Sequence, residues 1–510
     1  MSDIEIVSEE KAGAADSFFR TDHLKTGLGS RTARGGAVTG IAQILKFVLS
    51  TGGTILLARL LSPQDYGLIG MVAFLIGFLS MLKDLGLSNA IVQSREISPA
   101  QISTLFWINV AVCVAMTLLI SALAPVVAWF YGEPQLVAIT IVSSTVLIFG
   151  GLAIQHTALL QRQMHFTQLA AVEIAALLCG LATAICLAWF GAHYWALVAS
   201  QIMTSVATVV GVWLLCSWRP GLPGRGANVR SMLAFGGNFT GFSILNYFGN
   251  NLDNLLIGKF WGPEALGLYA RAFQLLYLPI DQINTPLAAV SVPALSRLVD
   301  SPERYRQAYV RILDTLTLLT LPGVAFMIVT SDWLVRLLLG ERWMAVAQLF
   351  SILGYAALLL PVANSTGWLF LTQGRTKELM RWGFIDSLIR IPSIILGVPW
   401  GPVGVSIGIV VRFCIQTPIL FWFIGRTGPV KSQDFYRALA SPLYVAVCVL
   451  LVLFAYHNYA AGNNLVINLC TALALAMATT LLGFMSTRRG RSALLDFRLT
   501  LSLLMARGTI

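Results

Sequence analysis

Gly35-Gly36-Ala37-Val38-Thr39-Gly40 returns about two hundred residues later as Gly236-Gly237-Asn238-Phe239-Thr240-Gly241, and Arg59-x-x-x-Pro63-x-x-x-Gly67 returns as Lys259-x-x-x-Pro263-x-x-x-Gly267. The first pair lies one residue further apart than the second, so the register slips once between them. A repeat of this length inside a strongly apolar chain is the sequence mark of a transporter built from two related lobes. Such lobes enclose a site and rock, opening it to each side of a membrane in turn.

Composition agrees. The 510 residues are 57% hydrophobic and only 11% charged, against about 25% charged in a soluble domain. Apolar runs of roughly 20 residues, enough to cross a hydrocarbon core of about 30 Å, follow one another nearly to the end. They fall near 36–60, 68–92, 102–129, 135–160, 168–190, 195–216, 233–260, 267–295, 309–330, 345–372, 381–399, 403–425, 437–457 and 464–486. The expected fold is an all-α polytopic membrane protein with about 14 transmembrane helices. Two pseudo-symmetric six-helix lobes, 32–231 and 232–430, are followed by two extra C-terminal helices over 431–486. Residues 1–31 and 487–510 read as cytoplasmic tails; the first is polar and lacks the apolar stretch of a signal peptide.

Lysine and arginine set the orientation. With both termini cytoplasmic, the inner segments hold 25 of the 34 Lys and Arg, and the outer loops keep Arg336 and Arg342. The net charge of +11 is thus a topology signal toward anionic lipid. No basic soluble domain exists to bind nucleic acid. The seven cysteines and five histidines are scattered without ligand spacing, so neither a metal nor a cofactor is expected.

Polar stripes mark the expected cavity. Thr39, Gln43, Lys46, Ser50 and Thr54 recur every three or four residues, along one face of a helix. The span at 233–260 matches it with Asn246, Asn250, Asp253 and Asn254. Polar groups facing lipid find no partners, so these faces must meet protein or a wet cleft. The span at 267–295 adds Arg271, Gln274, Asp281 and Thr285, with Pro279, Pro286 and Pro293 seven residues apart. Each proline removes a backbone donor and weakens one side of the helix. Lys83 and Asp84 stand side by side in the second span.

A charge at the bilayer centre costs about 2.5–3.5 kcal/mol on insertion scales, so every intramembrane charge is a candidate for function. Gln43, Lys46, Lys83, Asn250, Asp253, Asn254, Arg271, Asp281, Arg390 and Arg412 form the candidate cavity set. Asp386 and Arg390, four apart with the acid first, read as a structural pair. Arg412 has no partner nearby in sequence. Glu173 lies near the inner end of its span and reads as interfacial. Arg59 and Lys259 sit beside Asp65 and Glu264 at tight turns and read as structural.

Ala58-Arg59-Leu60-Leu61-Ser62-Pro63-Gln64-Asp65-Tyr66-Gly67, then Asp84-Leu85-Gly86-Leu87 and Ser103-Thr104-Leu105-Phe106-Trp107, resemble the polysaccharide transporter family. These are Wzx-type flippases of the multidrug/oligosaccharidyl-lipid/polysaccharide superfamily. The chain is similar to the branch exporting colanic acid and succinoglycan-like polysaccharides. Leu278-Pro279-Ile280, Val292-Pro293-Ala294-Leu295-Ser296 and Gln373-Gly374-Arg375-Thr376 extend the resemblance to residues 30–430. It implies translocation of undecaprenyl-pyrophosphate-linked oligosaccharides across a bacterial inner membrane by alternating access. It also implies a cavity whose cations, here Lys46, Lys83 and Arg271, meet the pyrophosphate. Membrane lipid, a polysaccharide polymerase and a chain-length regulator are the partners it suggests. The stretch 250–254 departs from a ring of positive charge, offering Asp253 among asparagines. Two other readings stay open here: a cation-coupled multidrug exporter of the same superfamily, and a membrane-embedded glycosyltransferase or polymerase. The second would need a sizeable loop domain or an acid/base constellation, and neither is visible.

Overall fold

The computed structural model describes residues 28–82, 98–222, 230–487 and 490–491. Within them the chain is helical and has no strand. In order, the helices are α1 (Leu28–Leu60), α2 (Pro63–Leu82), α3 (Pro99–Tyr131), α4 (Leu136–Ser144), α5 (Val146–Arg162), α6 (Phe166–Trp189), α7 (Tyr194–Leu215) and α8 (Arg230–Ser296). Next come α9 (Pro302–Val329), α10 (Ser331–Leu338), α11 (Met344–Ala357), α12 (Leu360–Thr372), α13 (Thr376–Gly397), α14 (Gly401–Gly425), α15 (Ser432–Tyr459) and α16 (Leu465–Ser486).

Ten helical segments among the described residues are long and apolar enough to cross a bilayer, and the bent pair Glu341–Ala357 and Leu360–Thr372 makes an eleventh. The protein is therefore a multi-pass membrane protein. One of the ten, Thr376–Gly425, is two helices, α13 and α14, joined through the tight turn Val398–Trp400. At 1.5 Å per residue, the 67 residues of α8 would reach about 100 Å, far beyond a membrane core. Gly262 divides it with φ 81° and ψ −178°, a conformation that costs a residue with a Cβ dearly. Counting both arms of α8 and both α13 and α14 brings the passages to about fourteen. The span read as 345–372 is bent by 43° between α11 and α12. Pro361, in the first turn of α12, supplies no donor to the preceding turn. The three prolines spaced along 279–293, by contrast, leave the helical dihedrals of α8 intact, and Gly262 is where they depart.

Local chemistry fixes the helix starts. Ser62 donates its backbone N–H to Asp65 Oδ2 at 2.9 Å, and the Asp65 N–H returns to Ser62 Oγ at 3.3 Å. This capping box, with Pro63 at the first helical position, starts α2. Ser98 and Gln101 do the same for α3. Arg219 donates to the carbonyls of Trp213, Cys216 and Trp218 at 2.9, 2.6 and 2.8 Å. It covers acceptors that the end of α7 leaves open.

The chain separates into two compact units, Met1–Gly267 and Leu268–Ile510. The first contains α1–α7 and the first arm of α8. Small residues set its spacing, as expected where lipid gives helices no hydrophobic drive to associate. A Cβ on Gly180 would lie 2.9 Å from the Ser200 carbonyl of α7, and one on Gly53 would lie 2.5 Å from Leu181 of α6. Ile102, Phe106, Leu159, Leu160, Val212 and Trp218 form a buried cluster between α3, α5 and α7. In the second unit, Gly397 and Gly404 bring α13 and α14 into backbone contact. Tyr305 and Tyr309 of α9 bond Thr372 and Ser365 of α12 at 2.6 and 3.0 Å.

Candidate functional site

The repeated motif has a direct structural meaning. A Cβ on Gly67 would stand 1.6 Å from the carbonyl oxygen of Pro263, and one on Gly267 would stand 1.9 Å from that of Pro63. The two copies of Pro-x-x-x-Gly cross each other reciprocally. Each glycine provides the gap that the other copy's proline carbonyl fills. Further along, Tyr247 on the first arm of α8 donates to the Phe74 carbonyl of α2 at 2.8 Å. The rings of Phe74, Phe78, Tyr247 and Phe248 pack with centroids 5.1–5.9 Å apart between the two helices. One member of each repeat is thereby held against the other.

On α1, Gln43 and Ser50 are exposed in the first unit, and Lys46 is half-buried between them. Ile41, Ile44, Leu45 and Val48 are exposed as well, so burial does not separate the stripe from its neighbours; only its chemistry does. Lys46 donates to Glu173 Oε2 on α6 at 2.5 Å. Glu173, read as interfacial, is thus the partner of Lys46: the parallel course of α1 and α6 sets the two side by side. No sequence signal announces this partner, 127 residues away.

The first arm of α8 carries Asn250, exposed, and Asp253, buried. Asp253 Oδ1 accepts the Asn254 N–H at 2.9 Å, while the buried Asn254 Oδ1 has no hydrogen-bond partner among the described residues. Asn251 donates to the Tyr247 carbonyl at 2.9 Å. Lys259 donates to the Phe130 carbonyl and lies 4.9 Å from that ring's centroid, ending its arm against α3. Lys83 lies outside the described residues.

In the second unit, Arg271 donates to Gln274 Oε1 at 2.5 Å, and Asp281 accepts from Thr285 at 3.2 Å, both within the second arm of α8. Asp386 and Arg390 are paired, as their i,i+4 spacing suggests. Arg412, with no partner nearby in sequence, finds one on α13. Its Nη2 lies 2.9 Å from Asp386 Oδ1, because the glycine contacts draw α14 against α13. One carboxylate thus serves two guanidinium groups between helices, and Arg390 and Arg412 hold that joint together.

The chain is similar along most of its length to curated proteins of polysaccharide assembly. It is 26% identical over 438 residues to the lipopolysaccharide biosynthesis protein WzxC of Escherichia coli (strain K12), covering 84% of this chain and 88% of that one. It is 23% identical over 459 residues to the succinoglycan biosynthesis transport protein ExoT of Rhizobium meliloti (strain 1021), covering 86% and 90%. Among solved structures, the lipid II flippase MurJ in an inward closed conformation superposes with a TM-score of 0.71 at 13% identity, over 87% of this chain and 97% of that one. An inward-facing multidrug resistance MATE transporter gives 0.58 at 14% identity, over 78% and 95%. These structures share the fold. Residues 56–348 match the model of the polysaccharide biosynthesis protein family, and the chain belongs to that family.

Proposed function

We propose that this chain is a flippase for undecaprenyl-pyrophosphate-linked oligosaccharide units, carrying them from the inner to the outer leaflet of a bacterial inner membrane by alternating access. What carries the reading is Lys46, a cation held within a membrane span beside Gln43 and Ser50, in a chain of this family. A pyrophosphate and several sugars cannot enter hydrocarbon unaided, since each polar group would lose its hydrogen bonds. A wet cleft open sideways to lipid passes the headgroup while the tail stays in the bilayer. In an inside-negative potential of 100 mV, moving two negative charges outward is favoured by about 4.6 kcal/mol.

Gln43, Lys46, Lys83, Asn250, Asp253, Asn254, Arg271 and Asp281 line the route in this reading, with the lobes divided at 231/232. Lys46 and Arg271 act on the phosphates. Arg390 and Arg412 serve the Asp386 joint first. The released unit passes to a polysaccharide polymerase and its chain-length regulator. Cells lacking the protein should accumulate the lipid-linked glycan on the inner leaflet. Lys46→Ala and Arg271→Ala should fail to clear it at normal protein levels, and Lys46→Arg should clear more than Lys46→Ala. Normal export by both alanine variants would contradict this assignment.

Both termini are placed in the cytoplasm on the lysine and arginine asymmetry. Reporter fusions at 132, 192 and 461 should read as periplasmic and those at 98, 224 and 430 as cytoplasmic. Reversal at two or more sites would overturn the orientation.

A further inference from the structure

We infer that Glu173 is an internal stand-in for the substrate's phosphate: it pairs with Lys46, and an anionic headgroup must displace it to bind. The inference rests on the flippase reading above and adds a residue that sets its selectivity.

Three observations separate this pair from the buried ion pairs at Asp386 and Asp434. The first is exposure. The side chains of Lys46 and Glu173 are 28% and 53% exposed, whereas Asp386 and Asp434 are 5% and 7% exposed in theirs. The second is the number of bonds. Asp434 accepts two hydrogen bonds from Arg306 and one from the Lys431 N–H, and Asp386 accepts from two arginines. Glu173 has Lys46 as its one hydrogen-bonding or ionic partner among the described residues. The third is that the helices do not depend on the pair to stay together. Leu181 of α6 fills the space at Gly53 of α1, about two turns further along both helices. Opening the pair leaves that contact in place.

The chemistry then sets the order of preference. Alone in a membrane span Lys46 would be a costly bare cation, and Glu173 neutralises it. A pyrophosphate brings more charge and more acceptor oxygens than one carboxylate, and charge-assisted hydrogen bonds to it are correspondingly stronger. It can therefore take Lys46 from Glu173. An uncharged lipid, offering the ammonium at most a neutral hydroxyl acceptor, cannot. Glu173 thus weakens binding of the true substrate modestly and excludes neutral lipids that would otherwise fill the cleft.

The test is equilibrium binding to the purified full chain in nanodiscs, with undecaprenyl pyrophosphate as probe and undecaprenol as the uncharged control. Glu173→Gln should bind the pyrophosphate tighter by roughly two- to fivefold, the range that releasing an ion pair of this exposure provides. Glu173→Asp, which keeps the charge, should bind like the wild type. With Lys46→Ala already present, adding Glu173→Gln should change nothing. Glu173→Ser serves as a second uncharged variant if the glutamine form does not fold. Unchanged affinity in the uncharged variants, or a gain that persists without Lys46, would overturn the inference while leaving flipping intact. A wild-type protein that does not prefer the pyrophosphate over undecaprenol would instead overturn the flippase reading, and this inference with it.

Discussion

Asp386→Ala is expected to destabilise the second unit by about 3–5 kcal/mol, the cost of removing one partner from a buried ion pair. The carboxylate is nearly sealed and holds Arg390 and Arg412 from two helices. Without it, two guanidinium groups face each other in a low-dielectric setting, where like charges repel strongly. The effect should appear as a large drop in thermal unfolding temperature in detergent and in the amount of folded protein. Replacing all three residues together by leucine and methionine should recover most of the loss, because an apolar core of similar volume needs no counter-ion. A change below about 1 kcal/mol in Asp386→Ala, the scale of an exposed pair, would show that the joint is open to water.

Gly67→Ala and Gly267→Ala should each abolish export. In both, the new methyl group would meet a backbone carbonyl rather than a flexible side chain, at 1.6 and 1.9 Å. Backbone cannot swing aside, so the two copies of the motif must separate. Overpacking of this kind costs typically about 1–3 kcal/mol in a soluble core. Here the larger consequence is geometric, because the crossing joins equivalent elements of the two repeats. Cysteine cross-links between Phe74 and Phe248 would report the separation as a lower yield. Wild-type export by both variants would show that the crossing can open without loss.

These two sites differ in how far the sequence announced them. The repeat itself was plain in the residues, and it contained the glycines. What it withheld was the reason for them: two helices related by the repeat approach until only a glycine fits. The spans were legible because apolar length is a local property. The bend between α11 and α12 was less so, since a single Pro361 inside an otherwise apolar run does not distinguish a kink from a break. The Asp386–Arg390 pair followed from helical spacing, whereas Arg412 joining it depends on how α14 packs, which spacing along one helix cannot reveal. Glu173 shows the same limit. Seven residues into α6, it looked interfacial, and only the side-by-side course of α1 and α6 makes it the partner of Lys46. Candidate residues on the two arms of α8 were found by their chemistry alone, which identifies polar faces but not what fills the space before them.

A leaflet-resolved measurement bears most directly on flipping. An undecaprenyl-pyrophosphate-linked oligosaccharide, labelled on its sugar with a fluorophore that a membrane-impermeant reductant can quench, is placed in both leaflets of proteoliposomes containing the purified chain. Added outside, the reductant should extinguish nearly all the fluorescence when the wild-type protein is present. Empty liposomes and Lys46→Ala proteoliposomes should lose only the share already facing outward. If the wild-type protein likewise leaves the inner share untouched, across a potential of either sign, the chain does not flip lipid-linked oligosaccharides.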